Sequence, residues 1–480
     1  MQKITQVSCP GKDRVEPEST PRVPSIPLRA TDRKDGADLF ERILERNNLN
    51  RAYKQVKRNG GAPGIDGMTI DKLLEYLHEH KESFLESLRN GTYHPLPVKR
   101  VEIPKPDGGV RLLGVPAMID RMIQQAISQV IMPIFEKEFS ENSYGFRPGR
   151  SAHQAIRKAQ EYYNQGYQRV VDIDLSKYFD TINHELLMNM LRKNIHDTRV
   201  LNLIKRYLKS GVMINGVLTA TEQGSPQGGN LSPLLSNIYL TVFDRELECR
   251  GHKFVRYADD VNIYVKSQRA AERVLSSSRK FLETKLKLKV NETKSKAGSP
   301  LKLKFLGFAL HTTGKGRAGI RIHEKSIDRF KNKIRELTRR NQGHSLEYVL
   351  QKLRQYTMGW LNYYAIADMK DFMQQANGWI KRKIRCYIWK QWKRIKTRFE
   401  NLQALGVPRG KAREWANTRK GYWHISNSWI LSKTLTDKRI IQMGYDDIFI
   451  RYNELHSTLT KLRKGFPEDW EEQRRYFKIK

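Results

Sequence analysis

The chain has 480 residues, of which 88 are Lys or Arg and 51 Asp or Glu, giving a formal net charge of +37. That much like charge in a folded protein calls for a polyanionic partner, and aromatics interleaved with the cations favour nucleic acid over a mere bias toward solubility. No apolar run approaches the ~18 residues of a membrane span, no secretory leader is visible, and Cys9, Cys249 and Cys386 are too isolated for a paired-cysteine zinc site. A cytoplasmic protein of roughly two to four domains, without membrane contact, is the expectation.

Residues 1–37 carry Pro10, Pro17, Pro21, Pro24 and Pro27 among charges and read as a disordered tail. Leu39, Ile43, Leu44, Tyr53 and Val56 fall at helical spacing and predict a helix over 38–58, stopped by the breaker cluster Asn59-Gly60-Gly61-Ala62-Pro63-Gly64. A polar helix is predicted near 70–90, then strand, turn and strand over 101–112, then a buried helix from Ile119 to Phe135. Gly224 to Asn230 is a loop of residues that permit close backbone approach, followed by an apolar helix over 231–242. Leu286 to Val290 alternates like a strand. Gly314 to Gly319 matches G-x-G-x-x-G, but a strand rather than a helix follows, so it reads as a hairpin turn. From Lys325 to about Phe399 the pattern is helical, with Ile380, Ile384, Tyr387, Ile388, Trp392, Ile395 and Phe399 as one apolar stripe. Nine Lys or Arg and no acid lie between Trp379 and Phe399, which suits a solvated face or a membrane-surface element. Trp415, Tyr422, Trp423 and Trp429 follow among basic residues and suit base stacking or core packing equally.

Two stretches carry acid where strands are expected. In 253–265 the adjacent Asp259 and Asp260 interrupt a β-favouring run, so a hairpin with carboxylates at its tip is predicted. Aspartates in turns commonly serve backbone N–H groups, and that pair alone decides nothing. In 170–175, Asp172 and Asp174 project from one strand face and can meet the hairpin tip within a sheet. Clustered carboxylates repel unless a cation neutralises them, and hard oxygen ligands with room for phosphate suit Mg²⁺. Metal-assisted phosphoryl transfer is the implied chemistry.

The YADD at 257–260 and DLSKYFD at 174–180 resemble the palm motifs of reverse transcriptases. Four further blocks stand in the matching order: IPKPDGGVRLLGVP at 103–116, YGFRPGRSAHQAI at 144–156, GSPQGGNLSPLLSNIYL at 224–240 and FLGF at 305–308. Together they resemble the bacterial group II intron-encoded reverse transcriptase/maturase family. The resemblance implies an α+β right-hand polymerase fold: an N-terminal extension over 38–100, fingers and an antiparallel palm sheet over 101–320, a helical thumb or maturase region over 321–400, and a small helical DNA-binding-like region over 401–480. Many relatives continue into a nuclease domain with paired cysteines and histidines, which this chain lacks up to Lys480, so target cleavage is not expected of it.

By the same resemblance the chain is an RNA-directed DNA polymerase and splicing maturase that supports retrohoming. Asp174, Asp259 and Asp260 would hold two Mg²⁺ about 4 Å apart, with Lys294 the candidate for protonating the leaving pyrophosphate. Lys105 and Arg111 would grip the triphosphate, Phe179 would sit under the sugar and exclude a 2′-hydroxyl, Gln227 would lie beside the nascent base pair, and Tyr257 would be a further substrate-binding residue. The loop at 59–64 would help hold the template or serve as a plain connector. Arg147 would contact template or buttress the fingers, Gly307 and Phe308 would steady the primer end, and Lys381, Arg382 and Arg385 would meet nucleic-acid backbone. Implied partners are the intron RNA, an RNA template with a DNA primer, target DNA and deoxynucleoside triphosphates. The alternatives are a retron, CRISPR-associated or phage-defence reverse transcriptase, or an RNA-binding maturase whose polymerase activity is secondary.

Overall fold

The computed structural model describes residues 39–104, 108–214, 217–219, 223–224, 228–314 and 316–465. Two compact units divide the chain, Met1–Ser299 and Pro300–Lys480. The first runs α1 (Leu39–Leu44), α2 (Arg46–Asn59), α3 (Ile70–Arg89), β1 (Val98–Pro104), β2 (Val110–Val115), α4 (Met118–Glu136), α5 (Ala152–Asn164), β3 (Arg169–Ile173), α6 (Tyr178–Thr181), α7 (His184–Arg192), α8 (Thr198–Lys209), β4 (Val212–Ile214), β5 (Val217–Thr219), α9 (Ser232–Cys249), β6 (Lys253–Tyr257), β7 (Asp260–Val265), α10 (Gln268–Lys285) and β8 (Lys296–Gly298).

Side chains of the flanking residues set many of these helix starts. The Thr69 side chain accepts from the Lys72 N–H at the head of α3, Ser267 accepts from Ala270 at the head of α10, and Ser151 with Gln154 forms a reciprocal capping box on α5. The expected helix over 38–58 is two helices, because Glu45 leaves the helical region at φ −55°, ψ 135°. A four-stranded antiparallel sheet in the order β6-β7-β3-β8 forms the palm. Val171, Ile173, Phe254, Val261 and Ile263 are buried in its core, and α5, α9 and α10 pack on it. A second sheet, β2-β1-β4-β5, makes the fingers, with β1 antiparallel to β2 and parallel to β4.

The run 286–290 is not a strand, which corrects the sequence expectation. Leu286, Leu288 and Val290 are buried alternately, as the pattern required, but Lys287 sits at φ 54° and breaks any ladder. Val290 keeps an isolated bridge to Leu175.

The second unit opens with the hairpin β9 (Phe308–Thr312) and β10 (Ala318–Ile322), as the declined glycine motif required. Helices α11 (Glu324–Leu337), α12 (Leu346–Tyr364), α13 (Lys370–Gln391), α14 (Ile395–Ala404), α15 (Arg409–Ala416), α16 (Tyr422–Ile425), α17 (Trp429–Thr434), α18 (Asp437–Gln442) and α19 (Ile448–Gly465) follow. Ile380, Ile384 and Ile388 on α13 are buried, and α16, α18 and α19 fold back on that helix. The apolar stripe does not continue to Phe399 as one helix: α13 ends at Gln391, and Ile395, which starts α14, is 52% exposed. Among the described residues no helix is long and apolar enough to cross a membrane.

Candidate active site

The acids meet because of strand register. Tyr257 pairs with Asp260, so only Ala258 and Asp259 form the turn between β6 and β7. Such two-residue hairpins need a positive φ, which Ala258 supplies at 57°. Pairing of β3 with β7 aligns Asp172 with Asn262 and Ile173 with Val261, which brings Asp174, the next residue, level with Asp260. Burial, then the charges of Asp260 and Asp174, push the Asp172 carboxyl up to about 7, against an opposing pull from Lys296. With the Asn262 amide turned so that its nitrogen faces the acid, it donates to Asp172 Oδ1 at 2.9 Å. Asp172 was not among the expected ligands, although its alternation with Asp174 was visible in the sequence.

Lys294 also comes to the cluster, with Nζ 3.9 Å from Asp174 Oδ2. The turn at 291–295 delivers it: the Asn291 N–H donates to the Asp174 carbonyl at 2.8 Å, and the Asp174 N–H donates to Ser295 Oγ at 3.1 Å. Phe179 lies on α6, five residues past Asp174, half-buried with its ring edge-on to Tyr178 at 5.2 Å. Gly224 crosses directly over the Phe179 carbonyl, where a Cβ would sit 2.9 Å away, so the start of the 224–230 loop lies beside the sugar-gate candidate. Tyr257 is half-buried, 6.4 Å from the Phe146 ring. Arg111 stands opposite Ile103 in the β1–β2 ladder. Lys105 and Gln227 lie outside the described residues, as do the Arg111 side chain and the expected tail over 1–37.

Several expected nucleic-acid contacts are spent inside the protein. Arg147 is buried, bidentate on Glu136 and donating to the Ser140 and Ser143 carbonyls, so it buttresses this segment and does not reach a template. Phe308 is fully buried against Tyr363 and Tyr364, and Gly307 packs under the Tyr364 hydroxyl, so neither meets a primer directly. Lys381 has an 8% exposed side chain held between Asp437 and Asp447 at 2.8 Å each, and Arg385 donates to Asp437 at 2.7 Å and the Leu435 carbonyl at 2.9 Å. Of that trio only Arg382 belongs to a surface group, with its guanidinium 3.9 Å over the Trp423 ring.

The meeting of these cations and rings was not visible in the sequence, although Tyr422, Trp423 and Arg382 stood out there singly. Arg335 and Lys383 lie over Trp379, Lys383 also over Trp423, and Arg340 and Lys390 over Tyr422. Partial burial, with smaller contributions from the charges of Arg335 and Arg340, depresses the Lys383 pKa against an opposing pull from Cys386. The i, i+4 pair Trp379 and Lys383 was a readable signal; rings arriving from 422–423 were not.

Among the described residues no three His, Cys, Asp or Glu side chains form a ready-made cage for an ion. A polymerase-type Mg²⁺ site is compatible with that, since it uses one or two carboxylates and completes its shell with substrate phosphates and water. The mutual crowding of Asp172, Asp174 and Asp260 is the repulsion a divalent cation relieves.

Residues 103–310 match the family described as reverse transcriptase (RNA-dependent DNA polymerase), and residues 327–406 match the group II intron, maturase-specific domain. Protein YkfC of Escherichia coli (strain K12) is 38% identical over 272 residues, covering 49% of this chain and 71% of that protein. Group II intron-encoded protein LtrA of Lactococcus lactis subsp. cremoris is 28% identical over 371 residues, 64% of this chain and 60% of LtrA. The putative COX1/OXI3 intron 1 protein of Saccharomyces cerevisiae (strain ATCC 204508 / S288c) is 32% identical over 249 residues, 49% of this chain but 28% of that protein. The chain thus spans 60% of one of these two intron-encoded relatives and 28% of the other. A solved partial Cas6-RT-Cas1–Cas2 complex aligns at 27% identity over 51% of this chain and 42% of that one, with a TM-score of 0.34. With a palm sheet that gathers the acids of YADD and DLSKYFD, and with both domain matches in order, the chain belongs to the group II intron-encoded reverse transcriptase/maturase family.

Proposed function

We propose that this protein copies RNA into DNA by metal-assisted nucleotidyl transfer and also clasps its own intron RNA during splicing. The observation that carries the first part is the register that sets Asp174 level with Asp260, next to Asp259 in the β6–β7 turn, with Lys294 alongside. Asp174, Asp259 and Asp260 would hold two Mg²⁺, which supply activation of the primer 3′-hydroxyl and neutralisation of the pyrophosphate. The chain's own groups do the remainder. Lys294 hands a proton to the departing pyrophosphate, Phe179 fills the space a 2′-hydroxyl needs, and Lys105 and Arg111 bind the triphosphate from the fingers hairpin. Gln227 meets the nascent pair, and Tyr257 is a further substrate-binding residue. Template, primer, target DNA and deoxynucleotides are its partners in this reading.

Primer extension on an RNA template tests it. Asp259→Ala is expected to abolish extension while leaving the fold and RNA binding intact; full activity in that variant overturns the polymerase reading.

For the maturase role, the match over 327–406 and the cation-aromatic group of Arg335, Arg340, Lys383 and Trp423 support RNA binding at this surface. Splicing assistance should survive Asp259→Ala and fall when those three cations are neutralised. The maturase-specific match also favours the intron family over retron or defence enzymes.

A further inference from the structure

Arg256 is a fully buried cation directly before Tyr257, and the role of the catalytic turn does not by itself explain it. Its charge is matched by Asp244 on α9, equally buried, with Nε donating to Oδ1 at 2.8 Å and Nη2 to Oδ2 at 2.6 Å. A buried ion pair is a weak source of stability, because well-packed apolar residues in its place often do as well or better. The informative contacts are those of the remaining nitrogen. Nη1 donates to Asn237 Oδ1 at 2.8 Å and to the Ala258 carbonyl at 2.9 Å.

The Ala258 carbonyl belongs to the peptide that joins Ala258 to Asp259, so a hold on it fixes the plane from which the Asp259 side chain departs. Ala258 is in the left-handed region at φ 57°, a conformation that costs an alanine energy and persists only where its surroundings enforce it. Those surroundings close from the other side as well. Asn237 Nδ2 donates to the Gly145 carbonyl at 2.8 Å, and a Cβ on Gly145 would run into the Ala258 backbone nitrogen. The Arg256 N–H donates to the Asn142 carbonyl at 2.9 Å and its carbonyl accepts from the Tyr144 N–H at 2.8 Å.

We propose that Arg256, clamped by Asp244 and Asn237, is a positioning residue that sets the direction of the Asp259 carboxylate for divalent-cation binding. The proposal rests on the polymerase reading of the acid cluster. It assigns Arg256, Asp244 and Asn237 no contact with substrate or metal; they act through the turn.

The test uses the full chain with Mn²⁺ as the probe, read by electron paramagnetic resonance without nucleic acid, next to thermal melting and Mg²⁺ titration of primer extension. Removing one partner of a buried pair strands the other, so the main variant is the double change Arg256→Met with Asp244→Leu, which leaves no unpaired charge. Melting close to wild type is expected, with Mn²⁺ affinity lowered roughly tenfold or more, the usual scale for a lost supporting group around a metal ligand. The Mg²⁺ needed for half-maximal extension should rise by a similar factor. Asn237→Ala, which spares the ion pair, should give a smaller shift in the same direction, and it carries the test if the double variant melts early. Arg256→Lys keeps the charge but loses the fork that spans Asp244, Asn237 and Ala258, and should not restore the affinity. A folded variant of either main kind that binds Mn²⁺ as tightly as wild type overturns the positioning role. Failure of the wild-type protein to extend any primer would instead count against the polymerase reading, leaving the Mn²⁺ comparison to decide this proposal separately.

Discussion

Burial holds the Asp120 carboxyl up at about 6, although the Tyr93 hydroxyl donates to Oδ1 at 2.6 Å and the Leu96 N–H to Oδ2 at 3.1 Å. Because its folded pKa lies above the unfolded one, the stability tied to the protonated form is complete below about pH 4 and is lost as pH rises through about 6. Comparing melts of wild type and Asp120→Asn should therefore show the wild-type advantage shrinking by about 2 kcal/mol between roughly pH 4.5 and 7. A difference that grows with pH would refute the assignment. Single residues also mark where the sequence could be read and where it could not. The approach of Asp174 to the acidic hairpin end at Asp259 and Asp260 was legible because alternation fixes which face a strand residue takes. Arg147 and Phe308 were not, since a motif letter says nothing of burial, and both turn inward to Glu136 and to Tyr363 and Tyr364.

Helix α13 shows the same division at the level of an element. Ile380, Ile384 and Ile388 were correctly read as its core face, but its cations look alike in the sequence and have opposite fates. Burial works against the Lys381 ammonium, yet Asp437 and Asp447 more than offset it and hold its pKa above the usual lysine range. Both acids arrive from about sixty residues later in the chain, beyond any local pattern. Lys381→Ala should cost about 3 kcal/mol in denaturant melts, because Asp447 is left buried without its cation. Lys383→Ala should change stability by no more than about 0.5 kcal/mol and instead weaken RNA binding in a titration. If the two variants behave alike in both assays, the separation of core and surface cations on this helix is wrong. The misread strand at 286–290 has a comparable origin: alternation reported burial correctly, while the backbone turn at Lys287 was silent in it.

Over the whole molecule, the charge of +37 was the most legible property and the one that acts at longest range. Association with structured RNA should weaken by about 10³ or more between 50 and 200 mM salt if six or more phosphates are neutralised; filter binding across that range checks it, and a flat response would remove the electrostatic basis of the interface. The division at Ser299 and Pro300 was not legible, because no break in composition falls there and the β9–β10 hairpin groups with the helices that follow it. Within the first unit, α9 is 18 residues long, about 27 Å of rigid rod. Its leading end emerges from the loop where Gly228 presses on the Gly114 backbone and Asn230 donates to Gln125, and its middle and far turns carry Asn237 and Asp244. In the function proposed above, one rod thus joins the loop assigned to the nascent base pair to the residues that hold the acid-bearing turn, so a mismatched pair that tilts its near end would disturb the metal-holding geometry without touching it.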